Sequence, residues 1–191
     1  MTDATGGSDE ALCRKIAAGD EAAFDLLVAR YQGRAYRLAW SLLRDAEDAR
    51  DLSQEAFIRV WEAASSFRGD ARFSTWFYRI LVNLCLDHRR RRRWWVARLA
   101  RDEQPEADAP LAERQPTTEP DAEARVTDAQ ELRRLWDAVD RLPARQRAAV
   151  VLHVQEGLST GEVAQVLGCA ETTVRVHLHR AVAALRKRVA P

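Results

Sequence analysis

The chain has 191 residues, 47% hydrophobic and 31% charged, with a formal net charge of +1. That suits one globular domain or two small ones and leaves out a membrane-inserted protein, since no run approaches the ~18 apolar residues of a spanning helix. The opening residues lack the apolar core of a secretory signal, and Cys13, Cys85 and Cys169 form no CxxC pair. A disulfide framework or structural zinc site is therefore not expected, and the reading is a reduced, cytoplasmic protein.

Charge is segregated along the chain. Residues 1–87 carry 11 basic and 14 acidic residues, 88–101 carry 7 arginines and no acid, 102–128 carry 2 basic and 9 acidic, and 129–191 carry 10 basic and 6 acidic. Such alternation suits contact with both a polyanion and a basic surface.

Taken in order, residues 1–19 read as an N-terminal tail. A helix follows in DEAAFDLLVARYQGRAYRLAWSLL, where Phe24, Leu27, Val28, Tyr31, Ala35, Leu38, Ala39 and Leu42 keep a helical period after a plausible Asp20 cap. Gly33 weakens it by about 1 kcal/mol and allows a kink. A second helix spans DAEDARDLSQEAFIRVWEAA. Ala49, Leu52, Ala56, Phe57, Val60 and Trp61 face inward there, with Asp48, Asp51, Glu55, Arg59 and Glu62 outside. The loop SSFRGDARFS turns at Gly69 and Asp70.

A third helix, capped by Ser74, covers STWFYRILVNLCLDHRRRRR. Phe77, Ile80, Leu81 and Leu84 would face inward, and Trp76, Arg79, Asn83 and Asp87 form a second stripe. The five arginines Arg89–Arg93 end this helix, where cations complement its dipole. Residues 96–128 hold four of the six prolines and read as a flexible acidic linker. Helical patterning resumes in QELRRLWDAVDRL and in PARQRAAVVLHVQEG, which Pro143 opens and Gly157 closes.

The C-terminal stretch LSTGEVAQVLGCAETTVRVHLHRAVAALRKRV reads as a helix-turn-helix. Its first helix is about Thr160–Leu167, with Ala164 at the crossing and Gly168 at the turn. The second starts near Glu171 and packs Val174, Leu178, Ala181 and Leu185 inward. Thr172, Arg175, Val176, His179 and Arg180 stay outward, as on a helix that reads a major groove. A plain helical hairpin with solvated arginines would share the periodicity. The joint spacing of alanine, glycine and apolar residues favours DNA binding.

There is no Walker loop, nucleophile elbow or HExxH, so an enzyme is not expected. Cys85 with His88, or His177 with His179, supplies two ligands at most. No metal or cofactor is expected from such pairs.

DAEDARDLSQEAFIRVW with FRGDARFSTWFYRILVNLCLDHRR resembles region 2 of the extracytoplasmic-function sigma factors of bacterial RNA polymerase. DRLPARQRAAVVLHVQEGLSTGEVAQVLGCAETTVRVHLHRA resembles their region 4. The resemblance implies an all-α chain of two small helical domains, 20–95 and 129–191, joined by the 96–128 linker. It implies an alternative sigma factor that binds core RNA polymerase at the largest-subunit clamp helices and the flap, directs it to promoter DNA, and is held by an anti-sigma factor until a signal arrives.

By position, Asp48, Asp51, Gln54, Glu55 and Phe57 match the family's polymerase-gripping segment. Phe67, Arg68, Gly69, Asp70 and Phe73, with Asn83 and Trp76, match its −10 reader, where a flipped base meets loop backbone and an amide. Asn83 bonded within its own domain, and Trp76 packed on its helix, are the plainer readings. Thr172, Arg175, Val176, His179 and Arg180 match its −35 readers. Thr173-Val174-Arg175-Val176-His177 departs from the commoner threonine, valine, basic, serine, arginine. Arg89, Arg90, Arg91, Arg92 and Arg93 would then clamp promoter phosphates, or else be a solvated helix end. Trp94 and Trp95 would pack on region 2, stack on a base, or dock on polymerase, with packing the default. The acidic linker, including Asp102, Glu103, Glu106 and Asp108, would suit the basic RNA-exit path. The competing function is a helix-turn-helix regulator that never joins the polymerase.

Overall fold

The structure, a computed structural model, describes residues 7–102 and 134–189; among them every regular element is helical. The expected linker lies outside the described residues from 103 onward.

The segment expected as a tail contains a helix, α1 (Asp9–Ala17). Ser8 caps it by accepting from the Ala11 N–H, and Leu12, Cys13 and Ile16 are buried. Each large apolar side chain so buried contributes about 1.5–3 kcal/mol before entropy is counted. Asp9 joins α1 to the next helix through Arg30 at 2.7 Å and the Tyr31 hydroxyl at 2.6 Å. Glu10 accepts from the backbone N–H of Phe73 at 3.0 Å, and this bond pulls its pKa below the usual carboxylate value. Helix α1 is thereby packed into the first helical lobe.

Helix α2 (Glu21–Leu43) starts at an Asp20 cap and runs through Gly33 without a break. It ends at Arg44, whose φ is 59°. A non-glycine residue pays roughly 1–2 kcal/mol there. Its guanidinium lies 3.8 Å over the Trp40 ring and bonds Asp140 at 3.0 Å, which offsets the strain.

Helix α3 (Ala46–Ala63) is capped by Asp45, which accepts from the N–H groups of Glu47 and Asp48. A short 3-10 turn (Ala64–Ser66) leads to the 67–72 loop and to α4 (Phe73–Asp102). At 1.5 Å per residue, α4 is about 45 Å long. It continues past Arg93 and takes in seven residues expected to be linker. Tyr31, Phe57, Phe73 and Phe77 meet at the centre of the first lobe with ring separations of 5.2–6.1 Å.

The second lobe holds α5 (134–140), α6 (Ala144–Val150) with a following π turn (Val151–Gln155), α7 (Thr160–Leu167) and α8 (Glu171–Val189). Ser159 and Glu162 form a reciprocal capping box at α7. Gly168 turns the chain at φ 62°, open to glycine at no steric cost.

The lobes pack on each other through α4 with α7 and α2 with α6, and one apolar core runs through both. Arg147 of α6 is the joint between them. It is 3% exposed and donates to the Val139 and Asp140 carbonyls of its own lobe and to the Leu42 carbonyl at the end of α2. Its carboxylate neighbour is Asp140. Burial, then the nearby Arg89, lowers its pKa to about 10. Arg89 of α4 donates to the same Leu42 carbonyl at 3.0 Å. Tyr78 donates to Glu156 at 2.7 Å and Ser41 to Gln155 at 2.8 Å across the same joint.

Candidate nucleic-acid interface

The outer side of α3 carries the first candidate group. Asp51 and Gln54 are exposed, and Glu55 accepts from Arg59 at 2.8 Å. Two expected members do not stand free on this face. Phe57 is buried against Phe77 because its helical phase turns it to the core. Asp48 meets His88 at 3.0 Å and Arg92 at 3.5 Å, since α4 passes beside the start of α3. Ile58, 51% exposed, belongs to the face and was missed; it lies four residues from Gln54, one helical turn on.

The 67–72 loop presents Arg68, Gly69 and Asp70 to solvent, with Gly69 at φ 77°. Phe67 is half-buried against Trp76 at 5.3 Å. Phe73, expected as part of the reader, is fully buried: it is the first residue of α4 and its ring completes the aromatic core. Trp76 is half-buried between Phe67 and Phe73, a packing role. Asn83 is exposed on the solvent side of α4. Glu162 of α7 lies 3.9 Å from Arg72, so the helix-turn-helix sits beside this loop.

The arginine run divides. Arg89 is half-buried on the Leu42 carbonyl and Arg92 lies against Asp45 and Asp48, so these two are engaged within the chain. Arg90 lies 3.3 Å from Asp87, and Arg91 and Arg93 are exposed. Burial and like charge from Arg93 lower the pKa of Arg89. Trp94 and Trp95, expected to pack on the first lobe, are instead 54% and 57% exposed. The helix carries them past the body of that lobe.

On α8, Thr172, Arg175, Val176, His179 and Arg180 are all exposed and recur at helical spacing on one side. Glu171 anchors this side to α7, accepting from Thr160 and from Arg175 at 2.7 Å each. Those bonds, Thr160's first, lower the Glu171 pKa. Val174 and Ala181 are fully buried opposite. His177 is half-buried, and desolvation, then Arg145 and Arg180, lowers its pKa. Among the described residues no three His, Cys, Asp or Glu side chains gather as a metal site, and no helix is long and apolar enough to cross a membrane.

Comparison with known proteins agrees with this layout. Residues 27–95 match the family Sigma-70 region 2, and residues 132–185 match Sigma-70, region 4. The chain is 36% identical to the RNA polymerase sigma-H factor of Pseudomonas aeruginosa over 96% of its own length and 94% of that protein. It is 39% identical to the ECF RNA polymerase sigma factor SigM of Mycobacterium tuberculosis over 94% and 84%, and 34% identical to the ECF RNA polymerase sigma-E factor of Escherichia coli over 96% and 95%. Its fold is similar to that of CnrH, solved with the cytosolic domain of CnrY, at a TM-score of 0.67 and 26% identity over 95% of this chain and 96% of that one. With two family segments in order and relatives matched along nearly their whole length, the chain belongs to the extracytoplasmic-function sigma factors of the sigma-70 family.

Proposed function

We propose that the protein is an alternative sigma factor that works in the cytoplasm, joins core RNA polymerase, and reads a promoter with two separate faces. The observation that carries this reading is their pairing. One lobe exposes Asn83 and the Arg68–Asp70 loop, and the other exposes Arg175, Val176, His179 and Arg180. Asn83 and the loop backbone suit an unstacked base of the −10 element. The α8 face suits a major groove at −35, with arginine for guanine and valine for a thymine methyl. Asp51, Gln54, Glu55 and Ile58 would dock on the polymerase clamp helices, and the second lobe on the flap. Arg90, Arg91 and Arg93 are the members of the run placed to hold phosphates. The protein promotes initiation and catalyses no reaction of its own.

The two elements lie about 25 base pairs apart, about 85 Å along a duplex at 3.4 Å per pair. With Arg72 beside Glu162, the two readers cannot both sit on one promoter. The lobes therefore part when the protein binds polymerase. An anti-sigma factor would hold them until a signal arrives. In support, CnrH, a protein of similar fold, was solved bound to CnrY.

Run-off transcription by core polymerase on fragmented genomic DNA from the source organism tests the reading. Discrete new start sites are expected only when the protein is present. Asn83→Ala should lower −10 selectivity about tenfold, the size of one lost base-reading contact. Duplex binding by the protein alone, with no new starts, would instead make it a helix-turn-helix regulator.

A further inference from the structure

The C-terminal part of α4 carries a surface that the reading above does not use. Trp94 and Trp95 are more than half exposed on a helix whose other aromatic side chains, Phe73, Trp76, Phe77 and Tyr78, are buried or half-buried. Their rings meet edge to face at 5.1 Å, and the Arg98 guanidinium lies 5.2 Å from the Trp94 ring centre. Trp94 follows Asn83 by 11 residues. Eleven residues are about three helical turns, so the two side chains leave α4 within ~20° of one another and ~16 Å apart along its axis. Trp76, Asn83, Arg90 and Trp94 share that phase. The face that presents Asn83 thus continues, in line, to a pair of indoles set among arginines.

We propose that Trp94 and Trp95, with Arg98, form a second DNA-binding site that stacks an unpaired promoter base about two to five nucleotides from the base met by Asn83. The spacing follows from ~16 Å of helix, which spans about five base steps at the duplex rise of 3.4 Å and fewer in an unstacked strand. Arginine accounts for attraction to the strand, and the indoles account for its single-stranded form. In a duplex the π-faces of the bases are already stacked, whereas an opened strand offers them to an aromatic platform. Burial of one Trp94 face against Arg98 leaves the rest of the ring accessible and adds positive charge to the platform. The site rests on the −10 reading of Asn83 for its register on the strand.

The test uses the full chain assembled with core polymerase on forked promoter fragments. All forks keep the −10 base unpaired; the open region is extended or shortened one nucleotide at a time on either side. A 2-aminopurine is placed in turn at each of the second to fifth positions in each direction. Trp94→Ala should weaken binding about tenfold, and abolish the stacking quench, only on forks that leave one of those positions unpaired. Trp94→Phe should keep most of both signals. Equal weakening on every fork, or no change on any, overturns the proposal. Weaker binding to core polymerase without DNA also overturns it and assigns the pair to a protein partner. Asn83→Ala reports the underlying reading by itself: unchanged selectivity at the −10 base sinks that reading and the register built on it, whereas a lost selectivity with an indifferent Trp94→Ala sinks the platform alone.

Discussion

The two lobes solve the same packing problem with different side chains. The first buries Tyr31, Phe57, Phe73, Phe77 and Tyr78 between four helices. The second buries alanine, valine and leucine, and its described aromatic, Trp136, stays half-exposed. Rings are large and rigid, so a few of them fix most of the first lobe's share of the common core. Small residues let α7 and α8 approach closely, as a helix-turn-helix requires, but they remove less surface from water. A mostly apolar groove of about 590 Å³, lined by Leu135, Val150, Val154, Val182 and Leu185 among others, remains open on that lobe. The second lobe therefore leans more on polar joints and on its neighbour, while the first lobe supplies the aromatic part of the core they share.

The largest effect that should separate the lobes is Phe77→Ala. It removes a fully buried ring from the centre of the first lobe and should cost about 3–5 kcal/mol in urea unfolding. A loss below about 1.5 kcal/mol would mean that the aromatic cluster does not organise that core.

Next comes Arg147→Met, which keeps the side-chain length and removes the charge. Three carbonyls lose a donor and Asp140 keeps only Arg44 of its two cations, at a cost of about 3 kcal/mol. Amide exchange should quicken in α6 and α8 and stay as it is in α3. Equal quickening throughout would show the lobes to be a single cooperative unit.

The smallest effect is Glu162→Gln at the α7 capping box. About 0.5 kcal/mol should be lost at pH 7, allowing for solvent screening. Glu162 is held below its ordinary value of 4.5, chiefly by the Ser159 backbone N–H, so it is charged more readily in the folded chain than in the unfolded one. Its contribution is complete above that value and fades as pH falls through the folded pKa. The gap between wild type and variant in melting temperature should therefore narrow as pH falls below 4.5 and close once the folded carboxylate is protonated. A gap that widens on acidification would refute the assignment.

How far these features can be read from the sequence depends on how local they are. The 3.6-residue period in α2, α3 and α8 and the glycine after Leu167 announce those helices, because each signal lies within its own segment. Ser8 and the apolar Leu12, Cys13 and Ile16 carry the same kind of signal for α1, but over only nine residues, too few to stand out. Phe73 adjoins an exposed loop in sequence, and only the docking of α1 shows that it opens a helix and fills a core. Arg147 is the hardest case. Nothing in PARQRAAVV distinguishes a buried arginine from a solvated one; the carbonyl of Leu42, 105 residues away, makes the difference. The position of Trp94 relative to Asn83 is legible as phase. Its exposure is not, since that depends on where the rest of the lobe ends.

The shared carbonyl of Leu42 bears on how the molecule comes apart. An oxygen with two lone pairs takes Arg89 from its own lobe and Arg147 from the other. When the lobes separate, Arg147 leaves and Arg89 stays, so the end of α2 keeps a charged donor. Arg147 likewise keeps the Val139 and Asp140 carbonyls. Neither half is left with a stranded polar group at this point, and the joint can be undone and remade without first rebuilding either surface.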